Sequence, residues 1–156
     1  MQQVTINNSL KISFDEGFHV MNEEELGLFF FNDYPNRFGI TDESRHMTMT
    51  IVWNKPKLWV RPLASARVAL SGTQTILSRS VRGFQKAEEL QTMPGGSKSE
   101  GFVYHYDTDE RKMTGLVQVV KYKGCLYTIY GYARRDEEAS AKKLFVKILE
   151  SMSWQA

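Results

Sequence analysis

Apolar and polar residues alternate along several stretches of this chain, as they do in strands with one buried face. Near the start, the apolar positions are Val4, Ile6, Leu10, Ile12 and Phe14. The segment Asn7-Asn8-Ser9 separates them, and asparagine tolerates the left-handed backbone of a tight turn. This segment therefore predicts an opening β-hairpin.

A second alternation runs from His46 to Trp53. One face carries Met47, Met49, Ile51 and Trp53. The residues between them are mostly threonine, so the pattern predicts a half-buried strand, which Pro56 ends.

The second half of the chain predicts most of a sheet. Residues 102–106, 113–122 and 125–133 are predicted strands, and Lys123-Gly124 suits a tight hairpin turn between the last two. Residues 84–92 are more polar and predict an edge strand. Segment 113–122 carries large apolar side chains on both faces, so this sheet must be covered on both sides.

Three helices are predicted around these strands. Asn22 and Glu25 form a capping box that begins a helix fading near Phe31. Arg61-Pro62 opens a middle helix, since proline is tolerated in the first turn. Asp136 is the predicted N-cap of the last helix. Its predicted buried stripe is Ala141, Leu144, Phe145, Ile148 and Met152.

Together these elements predict one α+β domain over residues 1–156, with an antiparallel β-sheet packed between helices. This order, and the closing Phe145-Val146-Lys147-Ile148-Leu149-Glu150-Ser151, resembles the PsbP-like fold, an α/β/α sandwich. The extrinsic photosystem subunit, a Ran-binding nuclear import factor and small bacterial proteins share that fold, and the bacterial proteins include adaptor chaperones for secreted toxins. The resemblance implies protein binding rather than catalysis.

Composition narrows the class of protein. The hydrophobic fraction of 42% and the charged fraction of 24% are those of a globular domain. No apolar run reaches the roughly 20 residues of a membrane helix. The first residues form neither a basic nor an apolar leader, so a cytoplasmic location is expected.

Charge is distributed unevenly although the net charge is only +2. Residues 1–43 contain eight acids and two bases, whereas residues 44–87 contain eight bases and no acid. The basic segment either neutralises the acidic one inside the folded domain or forms a face for an acidic partner. The low net charge argues against a nucleic-acid partner.

No residue pattern predicts catalysis, a cofactor or a metal. Cys125 opens a strand and has no partner signature for a nucleophile. His19, His46 and His105 lack metal-ligand spacing. The loop from Asp107 lacks the glycine and glutamate of a calcium-binding loop.

Two candidate partner-binding surfaces follow. The first is a basic face of the middle helix, with Arg61, Arg67, Arg79 and Arg82. The second is a row of strand tyrosines at Tyr104, Tyr106, Tyr130 and Tyr132. We interpret the chain as a non-enzymatic protein-interaction or adaptor module, chaperone-like, that binds another protein, with an acidic protein as the candidate partner. The alternative is a small-molecule-binding domain, or an enzyme of unrecognised type, with a pocket between sheet and helix.

Overall fold

The computed structural model describes residues 1–29, 35–57 and 65–155. Within these residues the helices are α1 Glu23–Gly27, α2 Ala66–Ser80 and α3 Glu138–Glu150. The strands are β1 Gln2–Ile6, β2 Leu10–Phe14, β3 His19–Val20, β4 Arg37–Asp42, β5 Met47–Asn54, β6 Arg82–Glu89, β7 Ser99–Asp107, β8 Lys112–Tyr122, β9 Cys125–Arg134 and β10 Ser153–Trp154. None of the described helices is long and apolar enough to cross a membrane.

A seven-stranded antiparallel sheet forms the centre of the molecule, in the order β3-β4-β5-β9-β8-β7-β6. The predicted meander is confirmed as β7, β8 and β9, and the turn residues Lys123 and Gly124 have φ values of 49° and 75°. Strand β6 lies at the predicted edge, and its pairing with β7 is interrupted by register shifts.

A second, three-stranded sheet has the order β1-β2-β10. The predicted opening hairpin is confirmed, with Asn7 and Asn8 at φ values of 50° and 52° in its turn. Strand β10 had no counterpart in the sequence prediction. Its Trp154 stacks on Tyr122 with ring centroids 4.0 Å apart, which ties the end of the chain to the large sheet.

The main core lies between the small sheet, α3 and one face of the large sheet. Ile12 and Phe14 from β2 meet Ile51 and Ile129 of the large sheet there. Phe145 of α3 lies over Gly131, where a Cβ atom would come within 3.0 Å of the phenylalanine ring. The absence of a side chain at this glycine therefore lets α3 approach the sheet closely.

A smaller, aromatic core lies on the opposite face beneath α2. Its buried residues are Phe102, Tyr104 and Val117, and Leu70 and Leu77 of α2 are half-buried against them. The large sheet is thus covered on both faces, and the predicted α+β sandwich is confirmed.

The helix ends agree only in part with the predictions. The capping box of Asn22 and Glu25 is confirmed, and α1 ends at Gly27, whereas the predicted end near Phe31 lies outside the described residues. The predicted opening of the middle helix, Arg61-Pro62, lies outside the described residues, and α2 starts behind an N-cap at Ser65.

The predicted N-cap Asp136 is wrong. A short 3-10 helix, Arg135–Glu137, precedes α3, so Glu137 occupies the N-cap position. Arg135 donates to the carbonyl oxygens of Tyr106 and Met113 and holds the chain against the sheet one residue before the predicted cap.

Candidate functional site

The predicted basic arginines do not share one helix face. Arg67 and Arg79 are exposed residues of α2, but the helix ends at Ser80, and Arg82 is the first residue of β6. At about 100° per residue, Arg67 and Arg79 lie about 120° apart around the helix axis. The predicted placement of Arg82 on the helix is therefore wrong, and Arg61 lies outside the described residues.

Part of the basic segment is neutralised by carboxylates of the same molecule. Arg82 Nη1 lies 3.1 Å from Asp109 Oδ1, at the β7–β8 turn. Arg45 forms ion pairs with Asp15 and with Asp42. Hydrogen bonds from Arg45 keep the pKa of the Asp15 carboxyl below its usual value. Arg45 thus pairs with acids of the N-terminal segment, which is one of the two expected uses of the basic segment. Arg67 and Arg79, in contrast, form no ion pair with any described carboxylate.

The solvent-facing side of α2 carries an apolar stripe. Its members recur at the spacing of one helix face and end in a basic residue: Val68, Gly72, Ile76 and Arg79. Val68 is 63% exposed and Ile76 is 64% exposed, and nothing lies within 4 Å of a Cβ atom built on Gly72. We call these four residues the outer stripe. Sequence reasoning missed its aliphatic members, although their four-residue spacing about Gly72 was visible.

The predicted tyrosines lie on the sheet face that α2 covers. Tyr104 is buried, and its ring centroid lies 5.6 Å from that of Tyr106. Tyr130 and Tyr132 stack with centroids 6.2 Å apart. Tyr104, Tyr106 and Tyr130 all belong to the aromatic core. The structure therefore brings these tyrosines together as packing beneath a helix, and their role in partner binding stays a prediction.

Burial changes the acidity of these phenols. It raises the pKa of Tyr106 to about 12 and holds the pKa values of Tyr104 and Tyr132 further above their usual range. The three side chains are therefore neutral at physiological pH and serve as large rings with a polar end.

The single cysteine, Cys125, lies in a buried position at the start of β9. Burial raises the pKa of its thiol, which keeps it in the unreactive protonated form. Among the described residues, no three His, Cys, Asp or Glu side chains are grouped as a metal site would require.

His105 and Thr114 converge on Glu138 at the start of α3. His105 Nε2 lies 2.8 Å from Glu138 Oε1, and Thr114 Oγ1 donates to the same oxygen over 2.9 Å. The hydroxyl thus faces the carboxylate and not the imidazole that would activate it as a nucleophile. This arrangement fastens the helix to the sheet.

The space between α3 and the sheet is nearly filled. A cavity of about 10 Å³ remains there, lined by Val103, Leu116 and Phe145 among others. A much larger open depression of about 1070 Å³ is lined by Leu144 and Val146, which lie about 160° apart around the axis of α3. It is an open groove along the exposed side of α3, and Ser44 and Arg45 of the β4–β5 turn form its other wall.

Comparison with known proteins identifies the fold. No family model matches the sequence, and no curated protein matches it either. The cyanobacterial PsbP protein (CyanoP) of Synechocystis sp. PCC 6803 superposes with a TM-score of 0.69 at 16% identity, over 99% of this chain and 92% of that one. LpqN, a protein involved in cell envelope biogenesis of Mycobacterium tuberculosis, gives a TM-score of 0.65 at 14% identity, over 94% and 83% of the two chains.

A third similar structure is PA94 of Pseudomonas aeruginosa, described as a protein of unknown function and putative regulator. It gives a TM-score of 0.56 at 8% identity, over 97% of this chain and 94% of that one. The chain therefore has the PsbP-like fold that its element order suggested. At these identities the likeness concerns the fold alone.

Proposed function

We propose that this protein is a non-catalytic binding module, of adaptor type, that docks an acidic amphipathic segment of another protein on the outer stripe of α2. The observation that carries the proposal is the exposure of Val68 and Ile76 on one helix face, on either side of Gly72. Aliphatic residues aligned in this way lose more water on binding than residues scattered singly over a surface.

Gly72 gives the outer stripe a shape as well as a composition. A glycine between two branched side chains leaves a notch in the helix surface, and small residues at such points allow another backbone to approach closely. An amphipathic helix laid along the stripe would place one apolar side chain in the notch, between Val68 and Ile76.

The charge around the stripe favours an acidic partner. Residues 65–80 contain no acid, so no carboxylate of α2 itself opposes a negative segment. Arg79 ends the stripe in the last turn of the helix, where it is exposed and forms no ion pair with a described carboxylate. Arginine is enriched in protein interfaces because its planar guanidinium can hold a carboxylate with two hydrogen bonds.

The test places a photo-cross-linking amino acid at Ile76 and, as a control, at the exposed position Thr108 in the β7–β8 turn. A protein cross-linked from Ile76 and not from Thr108 is the expected partner. The double substitution Val68→Asp and Ile76→Asp, examined with the cross-linker moved to the exposed Thr75 in both the unmodified and the substituted chain, should abolish that product, because it places two charges in the docking surface.

The matched control is Ser71→Asp with Ser78→Asp, which adds the same charge to exposed positions on the other flank of α2. It should weaken cross-linking only slightly. Equal loss in both double variants would show a general charge effect and would contradict docking on the stripe. The same product from Thr108 as from Ile76 would also contradict it.

A further inference from the structure

A pocket of about 330 Å³ lies at one end of the molecule, where the turns of the two sheets meet. Four separate stretches of the chain line it: the β1–β2 turn, the residue before β4, the end of β5, and the β8–β9 turn with the start of β9. The lining residues are Asn7, Ser9, Asn36, Trp53, Lys55, Tyr122, Lys123, Cys125 and Tyr127. We call it the terminal pocket, and its volume falls within the range of small-molecule sites.

Stacked aromatic rings form one side of the terminal pocket. Trp53 stacks on Tyr127 with centroids 6.3 Å apart and planes 28° from parallel. Tyr122 is held by Trp154, whose ring lies 4.0 Å away and 3° from parallel. Trp53 and Tyr122 remain only half-buried, so each ring is supported from behind and still partly accessible. Rings fixed in this way offer a rigid apolar wall to a planar ligand.

The polar groups of the pocket are neutral or cationic. Asn7 Nδ2 donates to the Tyr127 hydroxyl over 2.9 Å, which orders the floor of the pocket. Lys55 and Lys123 bring two ammonium groups, and that of Lys123 lies over the Tyr122 ring, 5.4 Å from its centroid. Neither forms an ion pair with a carboxylate of the described residues. No acidic side chain is among the described lining residues. The Cys125 thiol adds no negative charge, since burial raises its pKa.

Two cations and two amides beside a rigid aromatic wall are complementary to one class of ligand. We propose that the terminal pocket binds a small aromatic carboxylate, with the ring against Trp53 and Tyr122 and the carboxylate between Lys55 and Lys123. The ammonium groups supply charge-assisted hydrogen bonds, and the apolar wall supplies burial of the ring. This site is independent of the outer stripe, which belongs to α2.

The test is a titration of the ¹⁵N-labelled protein with 2-naphthoate, followed by amide chemical shifts. Saturable shifts are expected in the β1–β2 turn, around Lys55 and in the β8–β9 turn. The neutral isostere 2-naphthamide should bind at least about tenfold more weakly, because it lacks the charge that strengthens the hydrogen bonds from the lysines. Inorganic phosphate, which has charge but no ring, should also bind at least about tenfold more weakly.

Two double variants separate the pocket from general electrostatics. Lys55→Glu with Lys123→Glu should lower the affinity for 2-naphthoate by more than about tenfold. Lys143→Glu with Lys147→Glu makes the same charge change on the exposed side of α3 and should leave the affinity within about twofold, since distant surface charges are screened. All four lysines are surface residues, and the amide spectrum of each variant reports directly whether it is folded.

Three outcomes would overturn the proposal. Shifts that map outside the terminal pocket would remove the site. If 2-naphthamide bound as tightly as 2-naphthoate, the ligand would not need a carboxylate. If phosphate bound as tightly, the ligand would not need an aromatic ring. An equal loss of affinity in the Lys143 and Lys147 variant would show that only overall charge matters. As a second check, Trp53→Leu keeps both lysines and should still weaken 2-naphthoate, because it removes one ring of the wall.

Discussion

The two faces of the large sheet are covered in different ways. On one face, α3 and the small sheet enclose an aliphatic core, and Ala141, Phe145, Ile148 and Leu149 of α3 are buried. On the other face, α2 covers an aromatic core, yet no residue of α2 is fully buried. Both are helices of more than three turns, so length does not explain the difference.

The comparison shows that a helix can cover a sheet without being locked to it. Helix α3 lies close to the sheet over Gly131 and is fastened by hydrogen bonds to Glu138. Helix α2 covers the aromatic core with half-buried side chains such as Leu77, and none of the α2 residues is fully buried. The helix with the less buried side chains is also the one that presents aliphatic residues to solvent, as the proposed docking surface requires.

The largest effect is expected from Phe145→Ala in α3. Removing a fully buried ring over Gly131 leaves a cavity and should lower the free energy of unfolding by about 3–5 kcal/mol. Urea denaturation followed by circular dichroism measures it. A loss near 1 kcal/mol would show that the α3 face is no more tightly packed than the α2 face.

Leu77→Ala in α2 should lower the free energy of unfolding by a smaller amount. The side chain is only half-buried against the aromatic core, so the expected loss in the free energy of unfolding is about 1–2 kcal/mol. The same denaturation experiment gives the value, and amide hydrogen exchange should be faster in α2 than in α3 already in the unmodified protein. Slower exchange in α2 would contradict the comparison.

The smallest effect is expected from Glu138→Gln, at about 1 kcal/mol near neutral pH. Partial burial acts to raise the pKa of Glu138, but the hydrogen bonds from His105 and Thr114 outweigh it and keep that pKa below its usual value of 4.5. The contribution of the Glu138 carboxylate to the free energy of unfolding is therefore present above pH 4.5. It is lost as the pH falls through the lower pKa of the folded state.

The stability difference between wild type and Glu138→Gln should accordingly be larger at pH 7 than at pH 3. Glu150→Gln, at an exposed position on the same helix, is the matched control and should change the stability little at either pH. A pH-independent difference for Glu138→Gln would show that the carboxylate charge does not fasten α3.

The sequence predicted best those turns and helix ends that are determined by neighbouring residues. Asn7-Asn8 and Lys123-Gly124 lie in the left-handed region that such turns need, and Asn22 with Glu25 makes the predicted cap. Strand β4 was missed because its apolar pattern is short. Phe38 and Ile40 share one face, but the next residue on that face is Asp42, a carboxylate that is buried and paired with Arg45.

The binding surfaces were less predictable than the fold. Helical spacing accounts for the α2 residues that face the sheet, such as Leu70, but it gives no reason for exposed aliphatic residues at Val68 and Ile76. The terminal pocket joins the turn at Asn7 to the turn at Lys123, more than a hundred positions apart in the chain. No spacing rule connects such positions, since their proximity follows from how the two sheets pack.

The edges of the large sheet bear on how copies of the protein can associate. Edge strands with free backbone groups invite pairing with another chain and can lead to aggregation. Here one edge is β3, only two residues long, and the other is β6, which is charged and breaks register at Arg82/Gln85 and at Lys86/Glu88. Neither edge of the large sheet is a good template, so this sheet is protected against growth by the addition of strands from other copies.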